Sequence, residues 1–131
     1  MRIPCLALAA AGIACSSEPT SSGGALAACS GAVAVSVASG AQPTVTWTPA
    51  CKLFFLNVEP VNSGADQWSV ITDSANAIAP PVKYGVTPPG AVQLTAPASL
   101  LVGQAYNVYV FRWTGPGRQD GVLIGTGTFT R

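Results

Sequence analysis

From Gly31 onward, apolar and polar residues alternate with a period of two. Val33, Val35 and Val37 alternate with Ala34, Ser36 and Ala38; after Ser39-Gly40-Ala41-Gln42, Val45 and Trp47 alternate with Thr44, Thr46 and Thr48. Successive side chains of a strand point to opposite faces, so alternation rich in β-branched and aromatic residues predicts half-buried strands. Further strands are predicted over 52–60, 67–72, 91–95, 105–113 and 121–130, and Ala79 to Gly85 reads as either an extended edge or a loop. Gly and Pro fall mainly between these segments, and no window carries a sustained helical stripe. About seven short strands at this spacing predict an all-β fold, a single antiparallel two-sheet sandwich over residues 29–131.

The beginning of the chain breaks the pattern. After Met1-Arg2-Ile3-Pro4, the ten residues from Cys5 to Ala14 are uncharged and rich in Ala. As a helix they would span about 15 Å, half of a bilayer core of roughly 30 Å, which is too short to cross. A short basic start, an apolar run and small residues fit a cleaved signal peptide over residues 1–14. Gly12-Ile13-Ala14-Cys15 resembles the lipobox of bacterial lipoproteins, in which the Cys is lipidated and becomes the mature N-terminus. Ile13, Ala14 and Cys15 match, whereas Gly12 stands where that family usually has Leu. The resemblance implies lipidation at Cys15, the membrane as a partner through the anchor, and a place on the exported side of a bacterial cell envelope. The same residues leave two other readings open: cleavage after Ala9-Ala10-Ala11 with Cys15 as a free thiol, or Cys15 as a half-cystine. Residues 15–28 are dominated by Ser, Gly and Ala, cannot bury enough apolar surface to offset their ordering entropy, and are expected to form a flexible tether.

Within the strand region, Leu100-Leu101-Val102-Gly103-Gln104-Ala105-Tyr106-Asn107-Val108-Tyr109-Val110 resembles the fibronectin type III pattern in which a Leu, a Pro-Gly turn and a Tyr lead into strand F. Leu100, Gly103, Tyr106, Val108 and Val110 match, while Val102 and Gln104 replace the family's usual Pro and Thr. Trp47-Thr48-Pro49 resembles the strand B Trp of that family. The resemblance implies a fibronectin type III-like sandwich over about residues 32–131, with a tyrosine corner at Tyr106 whose hydroxyl bonds nearby backbone. It implies little about function, because this scaffold serves many roles.

Composition removes several classes of function. The 131 residues carry 6 Lys+Arg against 5 Asp+Glu, a formal charge of +1, and no His. Nucleic-acid binders need a basic stripe, so no nucleic-acid partner is expected. Without His, the Ser-His-Asp, Cys-His and His-based zinc arrangements cannot be built. The carboxylates Glu59, Asp66, Asp73 and Asp120 fall at strand ends or turns, without the spacing of a calcium loop or a convergent acid pair. Arg118-Gln119-Asp120 lacks the central Gly of an integrin-binding Arg-Gly-Asp, and a hairpin loop closed by Asp120-Gly121 explains it. The expectation is a non-enzymatic protein with no cofactor and no metal.

With Cys5 in the signal peptide and Cys15 assigned to lipid, Cys29 and Cys51 remain. In a hairpin turning at Gly40, positions equidistant from Gly40 pair, which sets these two cysteines opposite each other. Export into an oxidising compartment makes a disulfide the expected state.

If Tyr106, Val108 and Val110 face the core, strict alternation turns Tyr109, Phe111 and Trp113 outward. On the neighbouring strand, Leu53, Phe55 and Asn57 share one face and Phe54, Leu56 and Val58 the other. An outward set of Phe55, Tyr109, Phe111 and Trp113 suits binding of an envelope protein or carbohydrate. The competing expectation is a structural spacer or assembly lipoprotein, in which a loop or bulge covers that face.

Overall fold

The computed structural model describes residues 25–131; the signal segment, Cys15 and most of the expected tether lie outside the described residues. Among the described residues there are eight strands and no helix: β1 (Ala34–Ala38), β2 (Thr44–Thr48), β3 (Phe55–Pro60), β4 (Trp68–Ile71), β5 (Val82–Lys83), β6 (Val92–Thr95), β7 (Ala105–Trp113) and β8 (Gly121–Thr130). They form two antiparallel sheets, in the orders β1-β2-β5 and β6-β4-β3-β7-β8. The sandwich predicted from alternation is therefore present. Its additional strand comes from the 79–85 stretch, where Val82 and Lys83 pair with Val45 and Thr44.

The inward residues of both sheets make one core. Val45 and Trp47 of β2 meet Leu56 and Val58 of β3, Trp68 and Val70 of β4, and Tyr106, Val108 and Val110 of β7. Each such side chain contributes about 1.5–3 kcal/mol by leaving water. The buried indoles keep their polar ends satisfied: Trp47 Nε1 donates to the Cys51 carbonyl at 2.8 Å, and Trp68 Nε1 to Gln93 Oε1 at 3.1 Å. Tyr106 is buried and stacked on Phe129 with ring centroids 5.3 Å apart. Its hydroxyl accepts the Leu101 N–H at 2.8 Å. Leu100 packs half-buried against the same core. Between them the Gln104 N–H reaches the Leu101 carbonyl at 3.1 Å, and Gly103 turns the chain with φ of 82°. That is the third position of a type II turn, where a Cβ is strained.

Cys29 and Cys51 are bonded, with Cα atoms 4.8 Å apart. The pairing is as expected, but the register that suggested it is not. The β1–β2 ladder matches Ala34 with Thr48 and Val37 with Val45, so it is centred on Ala41 rather than Gly40. Continued outward, that register would set Cys29 opposite Leu53. Instead the ladder ends at Ala34, and Ala28 lies parallel to Lys52 in an isolated bridge. There the Cys29 N–H donates to the Lys52 carbonyl and the Lys52 N–H to the Ala27 carbonyl, both at 2.9 Å. A register shift of two preserves which side chains face inward, so alternation alone does not distinguish the two hairpins. Backbone pairing with the sandwich thus already begins at Ala27.

β1 also closes the edge of the sandwich against β8. The Val33 N–H donates to the Ile124 carbonyl at 2.9 Å. Gly125 and Gly127 permit this approach: a Cβ at Gly125 would stand 2.8 Å from Val33 Cγ2, and one at Gly127 2.8 Å from Val35 Cγ1.

Candidate binding face

Register places the expected face on the outside of the five-stranded sheet. Phe111 of β7 lies opposite Phe55 of β3, and the two rings sit 5.2 Å apart at 40°. Phe55 in turn lies opposite Ile71 of β4, Ile71 opposite Val92 of β6, and Phe111 opposite Leu123 of β8. One apolar row therefore crosses all five strands. The next row is polar and runs Thr95, Ser69, Asn57, Tyr109, Thr126. Beyond it, Asn107 lies opposite Glu59 and Thr128, with Thr128 Oγ1 and Asn107 Oδ1 at 3.1 Å. Within the polar row Ser69 and Asn57 are buried, and Ser69 Oγ and Asn57 Oδ1 have no hydrogen-bond partner among the described residues.

Phe55, Phe111 and Tyr109 are half-buried, the first two in the apolar row and Tyr109 in the polar one. Trp113 stands apart. Its ring lies under the β7–β8 loop, with Nε1 donating to the Gly117 carbonyl at 2.7 Å and Cζ2 only 2.9 Å from where a Cβ on Gly115 would sit. Asn76 clasps its backbone from the other side, accepting the Trp113 N–H at 2.7 Å and donating to its carbonyl at 3.1 Å. The expected stripe of four outward aromatics is therefore a pair, a neighbour one row away, and a fourth ring that is half-buried like the others but packs against a loop.

Strict alternation also fails on the approach to β3. Leu53 and Leu56 both belong to the core cluster, and Phe54 and Phe55 between them both line the outer cleft, Phe55 half-buried and Phe54 only 3% exposed. The reason is a local two-against-one arrangement: the Phe54 N–H bonds the Phe111 carbonyl at 2.9 Å while Phe55 is the register partner of Phe111. Such a bulge re-aims one side chain. Phe54, which strict alternation sets on the core side, is thus buried yet reaches the cleft on the outer side. β6 and β8 carry similar irregularities at their pairings with Ser69/Val70 and Val110/Phe111.

Two adjoining clefts result. One, of about 290 Å³, is lined by Phe54, Phe55, Ile71, Leu94, Phe111, Gln119 and Gly121. The other, of about 460 Å³, shares Ile71, Leu94 and Gln119 and adds Thr72, Asp73, Val92 and Arg118. Val92 and Leu94 are 61% and 59% exposed, so the β6 end of the face is the most open. The β7–β8 loop walls the opposite side. Asp120 shapes it, its carboxylate accepting the Gly117 N–H at 2.7 Å and its carbonyl the Thr114 N–H at 2.8 Å. Arg118 Nε then donates to Asp73 Oδ1 at 2.8 Å across the second cleft. The hydrogen bond from Arg118 holds the Asp73 carboxyl below its ordinary value, and the same contact raises Arg118.

The arrangement presents an apolar row beside two clefts. No group of three or more His, Cys, Asp or Glu side chains able to hold a metal occurs among the described residues. No helix among them is long and apolar enough to cross a membrane. Cys15 lies outside the described residues. Comparison of the chain with protein-family models, curated proteins and solved structures gave no match.

Proposed function

We propose that this protein is a lipid-anchored lipoprotein of the bacterial cell envelope whose fibronectin type III-like sandwich is a non-catalytic interaction module for an envelope protein or carbohydrate. The observation that carries the binding reading is the apolar row from Val92 through Ile71, Phe55 and Phe111 to Leu123, bordered by a polar row. Apolar surface of this kind on a domain with few charges favours stacking and dispersion contacts over ion pairs. The anchor reading rests on Gly12-Ile13-Ala14-Cys15. The fibronectin-like reading is supported by the hydroxyl contact of Tyr106 with the Leu101 backbone.

Leu94→Ser with Leu123→Ser tests the module. Both side chains are substantially exposed, at 59% and 46%, so stability should change by less than about 0.5 kcal/mol per site. In detergent-extracted full-length protein, envelope partners crosslinked to the wild type should be lost from this variant and kept by Val102→Ser, an exposed site elsewhere. A second reading, the spacer, is favoured by the loop that covers Trp113. Unchanged crosslinks in the double variant would establish it at the expense of the module. For the anchor, palmitate labelling of the wild type and its absence in Cys15→Ala is expected; equal labelling refutes it.

A further inference from the structure

Lys52 and Lys83 are the only lysines in the 131-residue chain, and both line the same groove. This groove, of about 420 Å³, lies outside the candidate binding face; its other lining residues include Pro81, Val86, Pro88 and Pro89. Pro81, Val86 and Pro89 are exposed at its rim, and Val86 is 49% exposed. No carboxylate lines it. Asp73, the one acid in an ion pair among the described residues, is engaged by Arg118. The groove therefore offers two cations and a rim of Pro and Val, with no carboxylate among the described residues that line it.

Its position supplies the partner. The Lys52 N–H holds the Ala27 carbonyl, and Ala28 bridges Lys52, so the N-terminal segment joins the sandwich beside this groove. We propose that the Lys52–Lys83 groove is the face the domain turns toward the anionic phospholipid headgroups of the membrane that holds it, a proposal that rests on the anchoring at Cys15. The twelve peptide units from Cys15 to Ala27 reach at most about 40 Å in any conformation. Such a tether keeps the groove at high effective concentration over the headgroups, so weak contacts suffice to orient the domain. A lysine close to an anionic leaflet favours that orientation about fivefold, and two together about 25-fold, within a Debye length of about 8 Å. Val86 and the prolines at the rim would meet the interfacial layer, where apolar side chains are tolerated beside cations.

The test uses the lipidated full-length chain on vesicles of phosphatidylcholine alone or with about a third phosphatidylglycerol. Neither lipid carries a primary amine, so acetylation by acetic anhydride, mapped by peptide mass, reads Lys52 and Lys83 directly. Both should be acetylated about tenfold more slowly on the anionic vesicles, and high salt should abolish the difference. In Lys52→Gln the protection of Lys83 should fall several-fold. Equal rates on the two vesicle types, with the chain floating on both, would overturn the groove assignment and leave the anchor intact. A chain that floats with neither vesicle removes the anchor and the groove proposal together. Protection by inorganic phosphate without vesicles would make the groove a site for a soluble anion and would likewise overturn it.

Discussion

Replacing Gly125 by Ala tests the closure of the sandwich by β1. The added methyl would lie 2.8 Å from Val33 Cγ2, 2.9 Å from the Val33 carbonyl oxygen and 3.0 Å from Val110 Cγ2. Carbon contacts prefer about 3.5–4.0 Å, so all three are compressed, and one of them is backbone. Relief requires β1 to move off β8, which strains the Val33–Ile124 hydrogen bond. Overpacking of this kind costs about 1–3 kcal/mol, and Ala in a strand recovers about 0.5–1 kcal/mol relative to Gly. The net expectation is a loss between about 0 and 2.5 kcal/mol, centred near 1 kcal/mol, or roughly 4–8 °C in Tm at that centre for a domain of this size. Gly127→Ala meets chiefly the Val35 side chain, with backbone no closer than 3.5 Å, and should cost less. Gly31→Ala meets nothing within 4 Å and should be neutral or slightly stabilising. Urea denaturation of the three variants, with unchanged m-values, measures the order. A stabilised Gly125→Ala, or one that costs less than Gly127→Ala, would show that β1 does not pack on β8 as described.

Cys29→Ala with Cys51→Ala should lower stability by about 2–4 kcal/mol, since the bridge closes a sequence separation of 22; peptide mapping without reduction should recover the two cysteines linked, and free thiols at both would refute the bond. Tyr106→Phe should cost about 0.5–1.5 kcal/mol, because the orphaned Leu101 N–H belongs to a residue 65% exposed and can turn to water; a loss above about 3 kcal/mol would show that the hydroxyl does more than receive that bond. The Asp73–Arg118 pair stabilises the folded form above the carboxylate's ordinary pKa, near 3.9, and that contribution is lost as pH falls through the depressed folded value. A carbon-detected carboxyl titration should show Asp73 below the ordinary range and Arg118→Gln returning it upward; identical titrations would mean the pair does not persist in solution.

Most of the fold was legible because antiparallel strands with one buried face write their period into the chain. The alternation from Thr44 to Thr48 and the expected segments 67–72, 105–113 and 121–130 coincide with β2, β4, β7 and β8 to within a residue or two. β5 was ambiguous for a physical reason. Only Val82 and Lys83 pair, and a two-residue strand between Pro80-Pro81 and Tyr84-Gly85 carries no alternation to read. The hairpin register was misread for a related reason: a shift of two leaves every inward side chain inward, and the sequence contains nothing else that separates Gly40 from Ala41 as the centre.

The candidate face was legible only where ladders are regular. Phe55 and Phe111 meet because β3 and β7 pair without interruption from Phe55 to Pro60, and the same regularity aligns Tyr109 with Asn57. Phe54 escaped because one extra residue between Leu53 and Leu56 reverses the face of everything before it, and a bulge leaves no periodic mark. Trp113 was placed in the stripe by extrapolating β7 to its last residue, where the ring comes under the control of Gly115 and Gly117 rather than of the sheet. Glycines in that loop are what permit the cover, since a Cβ at Gly115 would collide with the indole. The two glycines that the sequence presents as turn residues thus also decide how much of the face is open. The accessible area of this face accordingly depends on the loop as well as on the aromatic pair beside it.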